Sequence, residues 1–165
     1  MTSAFPSDRE DKRRALLDAV ESIREPLEAC SEEGDRLATL PNASVNALYQ
    51  SGLFKLKLPT VLGGAEADLN TQLDVIEAVS RIDASAGWCM MIGAASLAGL
   101  AAFLPDEAIT EIFINGRAPK TAGVFTANGQ AVPTEGGYMV DGRWSLVLRQ
   151  RHQTLPVALR RSEGR

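Results

Sequence analysis

Gly136-Gly137-Tyr138-Met139-Val140-Asp141-Gly142-Arg143-Trp144-Ser145 is the stretch that sets the class of this chain. Tyr138 to Val140 and Arg143 to Leu146 read as two short strands. Asp141-Gly142 between them predicts a two-residue hairpin turn, because Gly supplies the positive φ that such turns demand. Upstream the apolar period is helical, and from about Leu146 the composition changes again.

Working back to the start, Ser7-Asp8-Arg9-Glu10 has capping-box spacing and predicts a helix start. Leu16, Val20, Ile23, Leu27 and Cys30 then share one helical face, with Pro26 expected to kink or end the helix near Glu25. The acidic run Glu28, Glu32, Glu33 and Asp35 reads as a solvated face. Pro41 and Gly52 frame a second helix with Val45, Leu48 and Tyr49 inward. Phe54, Leu56 and Leu58 alternate with Lys55 and Lys57, which predicts an extended segment closed by Pro59. After the Gly63-Gly64 turn, Leu69, Leu73, Ile76 and Val79 predict the buried face of a third helix. A fourth runs from about Ser85 to the Leu104-Pro105 break, and a fifth from Asp106 to Asn115 carries Ile109, Ile112 and Phe113. Period two then takes over: Thr121 to Thr126 reads as a strand and Ala131 to Pro133 as another extended piece. Helices first and strands afterwards predict an α+β chain, an all-α N-terminal domain followed by the first strands of a β domain.

Composition limits the possible functions. The 165 residues suffice for one ordinary domain, or one and part of a second. With 45% hydrophobic residues and a net charge of −4, the chain is expected to be globular and not to bind nucleic acid, which needs a concentrated basic face. Cys30 and Cys89, set in apolar helical patterns, form neither a disulfide framework nor a metal site, so no metal is assigned and a cytoplasmic setting is expected. Met1 to Arg14 is polar and has no signal-peptide core. Ala84 to Leu104 lacks charge and is long enough to span a bilayer. Its Ala, Gly, Ser and Met content and its acidic flanks, Asp83, Asp106 and Glu107, predict instead a buried central helix and no membrane association. No phosphate loop, nucleophile elbow or Cys/His spacing is present, and no catalytic residue is assigned.

The order of elements, with Leu40-Pro41, Gly52-Leu53-Phe54, Leu58-Pro59 with Gly63-Gly64, Asp83-Ala84-Ser85-Ala86-Gly87-Trp88, and Gly136-Gly137-Tyr138 with Gly142-Arg143-Trp144, resembles the acyl-CoA dehydrogenase superfamily over about residues 10 to 145. Gly87-Trp88 and Gly142-Arg143-Trp144 look more like the branch of flavin-dependent, two-component monooxygenases. Gly123-Val124-Phe125-Thr126-Ala127-Asn128-Gly129 stands where the dehydrogenase branch carries Thr-Glu-Pro and Gly-Ser-Asp. The resemblance implies a helical domain over 7–116, a partial β-barrel domain over 117–148 and an aberrant tail over 149–165. It implies FAD, or reduced FMN or FAD delivered by a separate flavin reductase, and hydroxylation of an aromatic or polycyclic small molecule. It also implies a homotetramer, built in the family by a C-terminal bundle. The alternatives are an FAD-dependent acyl-CoA dehydrogenase forming an α,β-double bond, and a non-catalytic helical interaction module.

By the same resemblance Gly123, Val124, Phe125, Thr126, Trp144 and Ser145 face the flavin, with Thr126 and Ser145 as hydroxyl donors. On residue type alone Thr126 is a β-former and Ser145 a surface residue. Trp88 is placed in the substrate pocket, where residue type alone makes it plain core. Family members continue Gly-Arg-Trp with a Ser-Phe-Gly-Ser-Gly run, whereas this chain reads Leu146-Val147-Leu148-Arg149-Gln150-Arg151-His152. Residues 149–165 hold five Arg and one Glu, so the net −4 divides into +4 there and −8 over the rest. A one-nucleotide shift of a permitted coding of Leu148 to His152 reads Phe-Gly-Ser-Gly, so a frameshift near Ser145 or Leu146 and an impaired enzyme are expected. His152, the only His, stands in that basic tail and is given no catalytic role.

Overall fold

The apolar stripe that starts at Leu16 folds as two helices rather than one. In the computed structural model, which describes residues 5–113, 118–121, 129–135 and 137–142, α1 spans Arg9–Ser22 and α2 spans Arg24–Leu37. The stripe continues across the break: Leu16, Val20, Ile23 and Leu27 are all buried. The break falls at Ile23, ahead of the expected Glu25. In one continuous helix Pro26 would press on the carbonyl of Ser22 and leave it without a donor. Starting a new helix at Arg24 moves Pro26 into a first turn, where an N–H has no intrahelical partner. The start of α1 also differs by one residue, since Asp8 and not Ser7 caps it, accepting from Asp11 N at 2.9 Å.

Helix α3, Asn42–Gln50, begins after Pro41 and buries Leu48, with Val45 and Tyr49 half-buried. The segment expected to be extended is instead a short 3₁₀ turn at Leu53–Lys55 followed by tight turns. Its alternation is nevertheless real: Phe54, Leu56 and Leu58 are buried. The carbonyls of Lys55, Leu56 and Leu58 accept from Ala65, Ala67 and Glu66 at 3.0, 3.1 and 3.0 Å. A loop returning on itself therefore does what a strand partner would do. Gly64 makes this return possible, because a Cβ there would run into the Leu58 carbonyl group.

Helix α4, Leu69–Ile82, meets its expected face in Val79, which is buried, and Ile76, which packs on the core, and departs from it at Leu69 and Leu73. Thr71, Val75 and Val79 are buried, while Leu69 and Leu73 are 67% and 56% exposed. Helix α5, Ala84–Phe103, packs along α4 and buries Ala86, Met90, Ala94 and Leu97. Gly87 lets the two helices approach, since a Cβ would sit 2.9 Å from Ser80 Cα. Helix α6, Asp106–Ile112, leads into Phe113, which joins Leu58, Leu97 and Ala118 in a second, smaller core.

Two antiparallel strands follow, β1 at Gly129–Thr134 and β2 at Gly137–Gly142. Their register places Asp141 opposite Gln130 and Gly142 opposite Gly129. Asp141-Gly142 is thus paired at the far end of the ladder from Thr134 and Gly137 and is not the expected turn. Two turn signals, Glu135-Gly136-Gly137 and Asp141-Gly142, stand close together in this sequence, and the ladder takes the second into a strand. The expected second arm, from Arg143, and all but the first residue of the strand expected at Thr121 to Thr126 lie outside the described residues. The architecture is a helical N-terminal part followed by the opening strands of a β part.

Candidate functional site

Helix α5 is the element on which the site residues converge. Asp83 opens it, accepting from Ala86 N at 2.7 Å, and so fixes where its first turn points. With the helix held at that end by Asp83 and against α4 by Gly87, Trp88 projects outward and is 55% exposed. It lines a cleft of about 520 Å³ between the last turn of α2 and the first turn of α5. Ser31, Asp35 and Thr39 face Trp88, Ser85 and Cys89 across it. The expectation that Trp88 is plain core is not met; the indole is half in solvent. None of the polar residues around the cleft is marked as a site residue by the sequence, because α2 and α5 meet only in the folded chain.

A second feature lies farther along α5. Here residues 118–121 leave the helical part and dock on it. Tyr49 Oη donates to the Ala118 carbonyl, and Lys120 Nζ stands 5.9 Å from the centre of the Tyr49 ring. Thr121, 8% exposed, donates through Oγ1 to the Gly93 carbonyl at 3.3 Å. These interactions tie residues 118–121 to α3 and α5. Gly93 is five residues beyond Trp88, about 7.5 Å along the axis and roughly 140° around it. The cleft and the docking point therefore use different faces of one helix. Gly123, Val124, Phe125, Thr126, Trp144 and Ser145, the residues expected at the flavin, lie outside the described residues. Among the described residues no group of three or more Cys, His, Asp or Glu is placed to hold a metal ion.

Electrostatically the helical part combines local pairs with two ties from α1, Arg9 to Asp68 at 3.1 Å and Arg13 to Asp74 at 2.6 Å. Asp68 caps α4, accepting from Thr71 Oγ1 at 2.6 Å and from Asn70 N and Thr71 N. The Thr71 hydroxyl, chiefly, holds the Asp68 carboxyl below the usual carboxylate range. Glu66 is lowered in the same way by the backbone N–H and then the hydroxyl of Thr60.

This is the arrangement of a helical first domain handing its chain to a β domain, as in acyl-CoA dehydrogenase-like folds. A family model described as acyl-CoA dehydrogenase, N-terminal domain, matches residues 10–109, and the chain belongs to that family. It is 33% identical over 129 residues to the indole-3-acetate monooxygenase of Acinetobacter baumannii, covering 78% of this chain and 32% of that protein. It is 26% identical over 145 residues to the oxygenase subunit HsaA, a flavin-dependent monooxygenase of Mycobacterium tuberculosis, covering 88% and 36%. Among solved structures it superimposes on XiaF from Streptomyces sp., in complex with FADH2 and glycerol, with a TM-score of 0.74 and 32% identity. That match covers 82% of this chain and 34% of XiaF. The chain spans about a third of the length of the relatives it matches.

Proposed function

We propose that this chain is the front part of the oxygenase component of a two-component, flavin-dependent monooxygenase that hydroxylates an aromatic or polycyclic small molecule. The observation that carries the reading is similarity to monooxygenases over more than three quarters of the chain. The docking of Thr121 on Gly93 suits it, since it ties the chain that follows the helical part to α5. Reduced FAD or FMN, when bound, supplies the chemistry that activates O₂; a separate flavin reductase provides it. In this reading Gly123, Val124, Phe125 and Trp144 offer the ring a surface, Thr126 and Ser145 donate hydrogen bonds to it, and Trp88 walls the substrate pocket. The assembled enzyme is a homotetramer. Cys30 and Cys89, which are not joined in a disulfide, suit a reducing, cytoplasmic setting.

Anaerobic titration of the purified 165-residue chain with reduced FAD and FMN tests this. The expected result is saturable binding that Thr126→Val weakens. Absence of any flavin-dependent change at micromolar protein would remove the flavin role from this chain.

A further inference from the structure

The cleft beside Trp88 has a one-sided charge pattern. Among the described residues, the charged groups that line it are the two carboxylates Asp35 and Asp83, with no Lys or Arg. Asp83 is engaged with the α5 backbone through Ala86 N, so its charge is answered in part by the positive end of that helix. That helix end would favour an anion, but Asp83 already occupies it, which leaves the hydroxyls of Ser31, Thr39 and Ser85 as neutral donors among the described lining. Asp35 differs: among the described residues its side chain has no ion pair and no hydrogen bond. It stands in the last turn of α2, at the negative end of that helix's dipole. The half-exposed Trp88 indole adds a ring face that attracts cations. The cleft, about 520 Å³, is open to solvent, with Asp35, Thr39, Ser85 and Trp88 all exposed along it, so a small organic molecule seated there stays partly in water.

We infer that this cleft takes an aromatic amine in its cationic form, the ring on Trp88 and the ammonium toward Asp35, and discriminates against aryl carboxylates. The inference rests on the reading of Trp88 as a wall of the substrate pocket and names the substrate class for it. Shape and apolar surface alone would accept 2-phenylethylamine, 2-phenylethanol and phenylacetate about equally, since the three differ chiefly in charge. The carboxylates and the α2 terminus separate them.

The test follows the two indole N–H signals of the ¹⁵N-labelled full chain by NMR, with Trp88 assigned by its loss in Trp88→Phe. Titration with 2-phenylethylamine is expected to shift the Trp88 signal with a Kd about tenfold below that of phenylacetate, the size of effect one charge at a few ångströms produces near a surface. Raising the salt to 1 M, where the screening length is about 3 Å, is expected to shrink the gap. Asp35→Asn is expected to reduce it to about threefold or less while leaving the Asp83 cap and the melting temperature in place. Equal or tighter binding of phenylacetate would overturn the charge selectivity while the cleft stands as an aromatic site. If none of the three ligands moves the Trp88 signal, the pocket reading itself fails.

Discussion

Two glycines of α5 predict opposite outcomes for one substitution. At Gly87 a Cβ would meet Ser80 Cα at 2.9 Å and Ser80 Cβ at 3.0 Å, as well as its hydroxyl. Rotating Ser80 relieves the hydroxyl but not the backbone carbon, so α4 and α5 must separate. Gly87→Ala is expected to destabilise the fold by about 1–3 kcal/mol in urea denaturation. Ser80→Gly in the same chain should recover only part of this, since the clash with the backbone carbon of residue 80 remains. At Gly99 nothing lies within 4 Å of an added Cβ. There Gly99→Ala should stabilise by roughly 0.5–1 kcal/mol, through the lower backbone entropy of the unfolded chain. Destabilisation at both sites would show that helix propensity, and not the α4–α5 approach, has been misjudged. In the first core, Leu16 is fully buried, and Leu16→Ala is expected to cost about 2–5 kcal/mol by the same measurement.

Helix α4 shows how an element's buried face is chosen. Leu69, Leu73, Ile76 and Val79 share a face by spacing, yet only Val79 of these is buried and Ile76 partly so, and Thr71 and Val75 complete the face against the core. The Asp68 cap explains it. With its hydroxyl donated to Asp68, Thr71 can be buried without an unpaired donor, so a polar residue takes a core position that periodicity gives to leucine. Apolar period alone cannot tell which of two stripes is covered when a polar residue in one of them is satisfied. The Leu16 to Leu27 stripe was legible because no second stripe competed with it. Trp88 was legible as part of a motif. Asp35, from α2, and the Tyr49 tie to Ala118 were not, because each depends on elements distant in sequence coming together. The cap also carries a pH dependence. Because Thr71 and the backbone N–H groups favour the charged carboxyl, the folded-state value for Asp68 lies below its unfolded one. Its contribution is present above the unfolded value, about pH 4, and is lost as pH falls through the lower folded value. Thr71→Val should move the Asp68 carboxyl up toward the ordinary range in ¹³C-detected titration and flatten the acid limb of stability. An unmoved titration would assign the depression to another group.

At the scale of the whole chain, stability is expected to be uneven. The two described strands are mostly exposed, with Val132, Met139 and Val140 on the surface, and a lone two-stranded ribbon is marginal in water. Amides of β1 and β2 should exchange with solvent well ahead of those in α4 and α5, as hydrogen exchange will read directly. Helix α5 raises the complementary point. It is uncharged from Ala84 to Phe103, and a helix apolar on every side belongs in a core. Its buried residues are only Ala86, Gly87, Met90, Gly93, Ala94 and Leu97, however, and Phe103 at its end is 89% exposed. With Leu69, Leu73 and Trp88 also in solvent, the helical part offers more apolar surface than scattered exposure accounts for. The 165-residue chain is therefore expected to enhance the fluorescence of 8-anilinonaphthalene-1-sulfonate and to self-associate with rising concentration in sedimentation velocity. Since Leu73 and Phe103 are exposed, Leu73→Ser with Phe103→Ser should lower both signals while leaving the melting temperature within a few degrees of the parent's. A parent chain that stays monomeric and leaves the dye dark would mean that these side chains are covered in solution, and the excess of apolar surface on α4 and α5 would then have no consequence for association.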